Sequence, residues 1–450
     1  MMKIYRRSFL KSSLALPLFA AAPTLGRAGE TAPSERVRVG VIGLGGRARW
    51  MMSRSIPDAK GAEWTCGCDI YEPRRKKFME TYKGKNVYED FRKMIEVEKL
   101  DGVFVETATH QRAWIGAMAM QAGAHIYLEK PMALTVEEGR YLVNAAKKYK
   151  KVTQVGTQQR SLPLCKWGCQ QIADGVIGKI KRVQVPNFVG PIPYPKPDTL
   201  DPKDCPKWWD IWTNQSVLRP IVPEVQFSWS RWADYDDGGL CFGVSGWGTH
   251  SFDQAMMAMG TSLTGPTRIL LEEPCTFQDS GKYPNRVPDD DETGASYYAM
   301  AKVAGPRARM KMYFGDIELD FCLDGDRGPG LGCIVTGENG KIEINRHKLA
   351  SNPKSIVTEM PEEFRNTRDE TVYHVENWLD CIRTGEKCAA DVEIGHRSTT
   401  ICHLVNIVRD TAPVGKEVHW DPEKELFTDL PEANAMLSRP RREGWELPTL

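Results

Sequence analysis

An apolar run that ends in a glycine-rich turn constrains this chain more than any other feature. Residues 37–42 have the composition of a buried strand, Gly-Leu-Gly-Gly-Arg-Ala follows at residues 43–48, and a helix-like stretch comes next. Gly43 permits the tight turn, Gly45 lets the backbone approach a phosphate, and Ala48 lets the helix pack closely on its strand. The helix N-terminus adds N–H groups and positive dipole, so the spacing predicts a dinucleotide site. The residues predicted to contact the dinucleotide here are Gly43, Gly45, Gly46 and Arg47.

A second apolar run, residues 63–70, carries a carboxylate near its end. Asp69 stands at about the spacing at which a carboxylate accepts hydrogen bonds from the adenine-side ribose. This favours NAD as the cofactor. Arg74 and Arg75 lie close enough in sequence to hold a 2′-phosphate, so NADP stays open as the alternative.

Apolar and helix-like stretches alternate through the first third of the chain. The β-like runs are residues 37–42, 63–70, 102–107, 125–128 and 152–156, and the helix-like stretches are 47–56, 72–83, 112–122 and 136–149. This alternation predicts an α/β Rossmann domain with a doubly wound parallel sheet, placed at residues 36–158. Ligands bind at the carboxyl ends of such strands, where Gly43, Asp69, Thr107 and Glu129 fall.

The rest of the chain, residues 159–450, has a different texture. A helix-like stretch at 162–174 precedes a predicted strand at 179–188, and residues 297–322 alternate as antiparallel strands do. Asn339-Gly340 is a hairpin signal between two short apolar runs. We expect a C-terminal α+β domain with a large, mostly antiparallel open sheet. Residues 376–383 and 399–408 are expected to form amphipathic helices that pack on its core.

Tryptophan and proline are dense between residues 186 and 237. Two interpretations are open: exposed indoles stack on sugar faces, or they fix a long loop onto the second domain. Trp229 and Arg231 are the candidates for substrate contact in this segment.

The N-terminus resembles a twin-arginine export signal. Arg6-Arg7-Ser8-Phe9-Leu10-Lys11 precedes a short apolar stretch, and a small-residue cleavage site ends at Ala28. The apolar stretch is too short to span a bilayer. We therefore expect residues 1–28 to be removed, the twin-arginine machinery to be a partner, and the product to be periplasmic or otherwise exported. No cysteine precedes Cys66, so no lipid anchor is expected.

Charge and cysteine usage exclude other classes of protein. The net charge is +1 without long blocks of like charge, which gives no footprint for nucleic acid. The twelve cysteines are scattered and lack zinc-site spacing, so we interpret them as core thiols and expect no metal site.

Five motifs, in order and spacing, resemble those of the Gfo/Idh/MocA family of nicotinamide-dependent sugar and cyclitol oxidoreductases. They are the turn at Gly43, Asp101-Gly102-Val103-Phe104-Val105 with Thr107 and His110, Glu129-Lys130-Pro131, Gly156-Thr157-Gln158-Gln159-Arg160, and Gly248-Thr249-His250-Ser251-Phe252-Asp253.

The resemblance implies roles for several of these residues. Lys130 would contact the substrate hydroxyl beside the nicotinamide, and its bond to Pro131 is commonly cis in the family. His250 would be the acid/base, which suits imidazole because its pKa lies near working pH, with Asp253 as an orienting partner. The resemblance also implies a homo-oligomer through the open sheet. Further cofactor contacts would come from Thr107, His110, Glu129 and Gln158, and Arg160 would lie near the substrate.

Three positions depart from the family pattern. Gly246 stands where many members carry an aspartate four residues before the histidine. Asp236 or Asp237 supplies the missing charge, or Lys130 and His250 suffice, or the chemistry is not a simple alcohol oxidation. Ala108 replaces a frequent proline. Arg112 replaces a frequent histidine, as a helix-surface residue or as a contact to an anionic substrate.

The sequence thus predicts an exported NAD(P)-dependent oxidoreductase that moves hydride between the nicotinamide and a carbon of a sugar, glycoside or cyclitol. Outside the cytoplasm no dinucleotide pool is maintained, so the cofactor should travel bound and be recycled in the site. A glycoside-cleaving enzyme that uses transient oxidation and elimination is the alternative. A non-catalytic dinucleotide- or sugar-binding protein is a third.

Overall fold

The N-terminal part of the chain is built on a parallel sheet. The structure is a computed structural model that describes residues 36–222, 225, 229–238, 243–278, 305–323, 331–357 and 359–450. The six strands pair in the order β3-β2-β1-β4-β5-β6, and every pair is parallel. They are β1 (Val37–Ile42), β2 (Ala62–Cys68), β3 (Asn86–Tyr88), β4 (Gly102–Val105), β5 (His125–Leu128) and β6 (Thr153–Val155).

Helices cover both faces of this sheet. They are α1 (Gly46–Trp50), continued by a π-helical turn (Met51–Ser55) and α2 (Ile56–Asp58), then α3 (Glu72–Thr81), α4 (Phe91–Glu98), α5 (Thr109–Gln121) and α6 (Val136–Tyr149). One face forms a core with α4, α5 and α6, through residues such as Met94, Ala113 and Leu142. The other face forms a core with α1 through Ala48.

The second domain is built on a nine-stranded sheet in the order β15-β14-β13-β7-β12-β11-β8-β16-β17. Only β7 and β12 pair in parallel among the described pairs. The strands are β7 (Ile180–Pro186), β8 (Arg268–Leu271), β11 (Met310–Phe314), β12 (Ile317–Leu323), β13 (Cys333–Gly337), β14 (Lys341–Ile344), β15 (Leu349–Asn352), β16 (Glu417–Asp421) and β17 (Leu426–Phe427). A separate antiparallel pair joins β9 (Thr276–Gln278) and β10 (Gly305–Arg307).

The helices of this half serve both sheets. They are α7 (Pro163–Ala173), α8 (Lys207–Thr213), α9 (Thr249–Met259), α10 (Glu370–Thr384), α11 (Val392–Thr411) and α12 (Pro431–Asn434). Helices α7, α9 and α11 bury one face of the nine-stranded sheet, with Phe252 and Ile401 fully buried. Helix α10 instead packs on the parallel sheet, where Trp378 contacts Phe104 and Tyr127 edge to face.

The predicted fold class is confirmed: a parallel Rossmann sheet is joined to a domain with a large, mostly antiparallel sheet. The tryptophan-rich segment differs from the prediction. Its aromatic residues Trp209, Trp212 and Tyr235 cluster with Ala108 and with partly buried Ile70 of the N-terminal domain. The end of the segment also contacts the second domain, where Asp237 pairs with His403. The predicted export signal and residues 297–304 lie outside the described residues.

No helix among the described residues has the length and apolar character that a bilayer crossing requires. Within the same ranges, no three His, Cys, Asp or Glu side chains come together as a metal site would need.

Candidate active site

The glycine-rich turn has the geometry that a dinucleotide requires. Gly43 adopts φ +89°, and a Cβ built there would lie 2.9 Å from the carbonyl oxygen of Glu106. Only glycine fits such a position without strain. Gly45 is the N-cap of α1. Because glycine has no side chain, this residue offers no side-chain acceptor to the first N–H groups of α1. Gly46 is exposed and Gly45 half-buried, so the turn presents backbone to a ligand.

Asp69 is held at the end of β2 by backbone amides. Its two carboxylate oxygens accept hydrogen bonds from the amides of Leu44 and Tyr71, both at 2.8 Å. Arg74 lies 3.6 Å from the same carboxylate, and Arg75 donates to the Asp69 carbonyl at 2.7 Å. The carboxylate that suits a ribose and the cations that suit a 2′-phosphate therefore share one corner of the site.

A buried polar cluster joins the first helix to the end of β5. Glu129, 5 % exposed, accepts from Arg47 at 2.8 Å and from Gln158 at 3.3 Å. Arg47 also donates to the Thr371 hydroxyl on α10 at 3.2 Å. Burial opposes ionisation of Glu129, but Arg47 and Lys130 outweigh burial and hold its pKa below the usual value. The cluster brings three predicted cofactor residues together: Arg47, Glu129 and Gln158.

Lys130 and His250 are joined through one helical turn. The Lys130 ammonium donates to the carbonyl oxygen of Gly246 at 3.0 Å. Gly246 lies in a π-helical turn (Val244–Gly248) that continues directly into α9, which places His250 one turn further along. The Lys130–Pro131 peptide bond is cis.

His250 is buried beside an arginine that sequence reasoning missed. The Arg346 guanidinium lies 3.1 Å from His250 Nε2. Because arginine is only a donor, Nε2 must accept, and the proton of the neutral ring is on Nδ1. Burial, followed by the positive charges of Arg346 and Lys130, holds the pKa of His250 well below its usual value. The histidine is therefore a neutral base at neutral pH.

Two models of known families match this chain. The oxidoreductase family with an NAD-binding Rossmann fold matches residues 37–157, and the C-terminal alpha/beta domain of the same oxidoreductase family matches residues 302–447. The chain belongs to the Gfo/Idh/MocA family. The first of these models describes an NAD-binding domain, so the N-terminal domain is of the nicotinamide-dinucleotide-binding type.

Relatives of the Gfo/Idh/MocA chain differ in what their names describe. A glycosyl hydrolase family 109 protein of Porphyromonas gingivalis is 32% identical over 130 residues, 26% of this chain and 27% of the relative. A D-glucoside 3-dehydrogenase of Escherichia coli is 28% identical over 147 residues, 33% of this chain and 42% of the relative. The chain thus spans less than half the length of these curated relatives. The WlbA dehydrogenase of Bordetella pertussis, crystallised with NADH and UDP-GlcNAcA, shares the fold, with a TM-score of 0.57 at 14% identity over 86% of this chain and 99% of that chain.

Asp236 and Asp237 are the two acids expected to supply the charge that Gly246 lacks, and the structure places them in different surroundings. Asp236 is fully buried and accepts hydrogen bonds from the hydroxyls of Thr109 and Ser245. Burial raises its pKa to about 6. Asp237 pairs instead with His403 and Arg439. Of the two acids, Asp236 is thus the one bonded to the residue next to Gly246.

Two residues from the Gfo/Idh/MocA motifs pair with each other and not as predicted. Asp253 was predicted to orient His250, and Arg160 to bind substrate. In the structure Arg160 Nε lies 2.8 Å from both carboxylate oxygens of Asp253. The pair is buried, and Arg160 also donates to the Ser262 hydroxyl at 3.0 Å. This ion pair joins the short 3-10 helix Gln158–Ser161, which precedes α7, to α9, on which His250 lies.

His110 also lies elsewhere than the predicted cofactor contact. It is 0 % exposed, its Nε2 lies 2.7 Å from the Trp212 carbonyl oxygen, and its ring packs against Tyr235. Burial lowers the pKa of His110 to about 3, so the ring is neutral. The residue holds the tryptophan-rich segment on α5.

Arg112 is not the helix-surface residue that one interpretation expected. It is 4 % exposed, and it donates to the carbonyl oxygens of Thr107 and Pro131 at 2.8 and 2.6 Å. It therefore ties the loop after β4 to the loop after β5. Trp229 and Arg231 are partly buried in a short 3-10 helix, with the Arg231 guanidinium 5.0 Å from the Trp232 ring centre.

The residues present fit a nicotinamide dinucleotide. The turn at Gly43 passes so close to the main chain of Glu106 that it requires a residue without a Cβ, and Asp69 and Glu129 flank it at the ends of β2 and β5. These residues would hold the two halves of the cofactor.

Gly43→Ala should weaken dinucleotide binding by more than about tenfold, because the added Cβ strains the turn and pushes on the strand end beside the phosphates. Gly84→Ala is the matched control: Gly84 has φ +81° but has open space around its Cβ position. Titration calorimetry with NAD⁺ and NADP⁺ gives the affinities. Equal losses in the two variants would contradict a phosphate-binding role for this turn.

Proposed function

We propose that this chain is an exported oxidoreductase that moves a hydride between a nicotinamide and a hydroxyl-bearing carbon of a sugar, glycoside or cyclitol. The observation that carries the proposal is the convergence of Lys130 and His250. Lys130, at the strand ends where the dinucleotide turn lies, donates to the carbonyl of Gly246, four residues before His250, and its charge acts on that histidine.

The chain's own residues supply the proton chemistry. The substrate hydroxyl would take the place of the Arg346 N–H at Nε2 of neutral His250, and this nitrogen would then accept the hydroxyl proton. Lys130 donates a hydrogen bond to the same oxygen and stabilises the negative charge that develops there. A bound nicotinamide supplies the hydride acceptor or donor. His250 and Lys130 therefore remove the hydroxyl proton and stabilise the oxygen, while the hydride leaves the carbon that bears this hydroxyl.

A carbohydrate or cyclitol substrate is supported by the relatives. The D-glucoside 3-dehydrogenase of Escherichia coli and an inositol 2-dehydrogenase/D-chiro-inositol 3-dehydrogenase of Shouchella clausii are both named for such substrates. Each match covers less than half of the relative. The individual sugar is for substrate screening to identify.

Lys130→Ala should lower turnover of an identified sugar substrate by at least about 100-fold, because it removes the donor beside the reacting hydroxyl. Lys147→Ala, on the exposed face of α6, is the control and should retain activity. Steady-state kinetics measure both. Mass spectrometry of dinucleotide released from protein purified without nucleotide shows whether NAD or NADP is present. Absence of any bound dinucleotide together with full activity of Lys130→Ala would refute the proposal.

Arg346→Ala should move the acidic limb of the kcat/KM profile to higher pH. Arg346 disfavours the imidazolium form, so its removal raises the pKa of His250. The base then loses its lone pair at a higher pH on acidification. Arg365→Ala, a change at an exposed ion pair with Glu362, is the control. An unchanged limb would show that His250 is not the titrating base.

Export with bound cofactor rests on the sequence of residues 1–28. Twin-arginine transport carries folded proteins, so a dinucleotide held in the site travels with the chain, as the absence of an external pool requires. Replacing Arg6 and Arg7 by lysine should retain the protein in the cytoplasm, and cell fractionation measures this. Equal export of the lysine variant would contradict the assignment.

A glycoside-cleaving enzyme is the second candidate. Gly246 replaces the family aspartate, and a glycosyl hydrolase family 109 protein is among the relatives. Transient oxidation acidifies the neighbouring C–H, elimination expels the aglycone, and the hydride returns. Solvent deuterium would then appear in the released sugar at the carbon beside the oxidised one. Net formation of reduced cofactor without such exchange identifies the dehydrogenase.

A further inference from the structure

One buried carboxyl group of the site has no role in the chemistry above. Glu106 follows β4 directly and is 9 % exposed. Neither of its carboxylate oxygens has a hydrogen-bond partner among the described residues. Burial without such bonds is costly, and native proteins retain few groups of this kind outside functional sites.

The side chain of Glu106 lies on the face of the parallel sheet that α1, the helix after the dinucleotide turn, covers. The Glu106 N–H donates to the Ile42 carbonyl oxygen at 2.8 Å, which continues the pairing with β1 one residue beyond β4. Side chains alternate along such a backbone, so Glu106 lies on the same side as Phe104, two residues earlier. Phe104 belongs to the core that contains Ala48 of α1. The main chain of Glu106 also faces the turn, since its carbonyl oxygen is the nearest atom to a Cβ built on Gly43. The carboxyl group is thus on the cofactor side.

The charges around Glu106 come from three directions. Arg47 approaches from α1 and Arg112 from α5, while Glu129 and Tyr127 belong to β5 and its end. Burial, then the negative charge of Glu129, raises the pKa of Glu106 to about 8 against the two arginines. Glu106 is therefore protonated at neutral pH while Glu129 is ionised. Burial keeps Tyr127 neutral, since it raises the pKa of that phenol far above its usual value.

We propose that Glu106 is a cofactor-site residue that releases its proton when the oxidised, cationic nicotinamide binds, and thereby makes the site prefer the oxidised over the reduced cofactor. The proton passes to solvent, and no covalent bond forms or breaks. The inference rests on the proposed function only in requiring a nicotinamide dinucleotide in the site.

The physical reason is the difference in charge between the two cofactor states. The oxidised ring carries a positive charge and the reduced ring does not. A carboxylate in a buried site interacts strongly with a nearby cation, so ionisation of Glu106 and binding of the oxidised ring favour each other. Glu129 already forms an ion pair with Arg47 at 2.8 Å. Of the two carboxyl groups, Glu106 is the one that holds a proton to release.

Calorimetric titration of the full chain with NAD⁺ and with NADH at pH 7 and pH 9 tests the proposal, with NADP⁺ and NADPH used if those are the nucleotides retained. Affinity for the oxidised form should rise by about tenfold between the two pH values, the change that corresponds to one unit of pKa. Affinity for the reduced form should change by less than about twofold over the same pH range, because the uncharged ring does not favour ionisation of Glu106. Asp236, whose pKa is about 6, is already ionised at pH 7 and therefore does not account for a change between pH 7 and pH 9.

Glu106→Gln should remove the pH dependence and lower the preference for the oxidised form. Glu98→Gln is the matched control, because Glu98 is 8 % exposed but lies on α4 and accepts from Asn86 and Tyr88. It should behave as the unmodified chain does. Thermal unfolding shows whether each variant is folded.

A measurement on the unmodified chain keeps the test independent of the variants. Titration at pH 7 in two buffers with different ionisation enthalpies counts the protons released. Release should approach one proton for the oxidised form and be near zero for the reduced form. Equal release for both forms, pH dependence that persists in Glu106→Gln, or failure to bind either form would overturn the inference. Normal binding with this pattern but no turnover of sugars would contradict only the proposed function.

Discussion

The ion pair between Arg47 and Glu129 is the interaction on which the site depends. It joins the helix that follows the dinucleotide turn to the end of β5, and through Thr371 it also engages α10. The Glu129 side chain is removed from bulk water whereas Arg47 keeps about a third of its side chain exposed, so it is the carboxylate that needs its partner to remain charged. Because Lys130 is the next residue after Glu129, the same contact fixes where the lysine leaves the sheet.

From this pair outwards, the charges that act most strongly on the histidine are positive. Lys130 and Arg346 both disfavour protonation of His250, which is already disfavoured by burial. Arg47 adds a smaller effect of the same sign. A site of this kind suits a neutral base and a substrate oxygen that gains negative charge. It suits an imidazolium acid less well, so the oxidative direction is the one that the resting charge state favours.

The parts of this site that directly follow apolar strands could be predicted from the local sequence. β1 and β5 begin and end where predicted, because each is a short, mostly buried run bounded by clear breaks. The strand Asn86–Tyr88 was missed because three half-exposed residues carry no periodicity. Arg346 was missed for another reason: it follows β14, over two hundred residues beyond Lys130, and only tertiary packing brings it to His250. The pairing of Arg160 with Asp253 likewise depends on the angle between two helices, which spacing does not encode.

The exchange of a family aspartate for Gly246 is best understood together with Glu106. Lys130 has a backbone carbonyl as its acceptor at this turn, which satisfies a hydrogen bond without adding a negative charge. One carboxylate is thereby removed from the side of the site where the histidine lies. A carboxyl group is present instead at the end of β4, on the side of α1 and the dinucleotide turn. The negative charge of this chain is therefore placed to act on the cofactor and not on the lysine. This placement leaves Lys130 and His250 as they are, while it would change which oxidation state of the nicotinamide the protein holds more tightly.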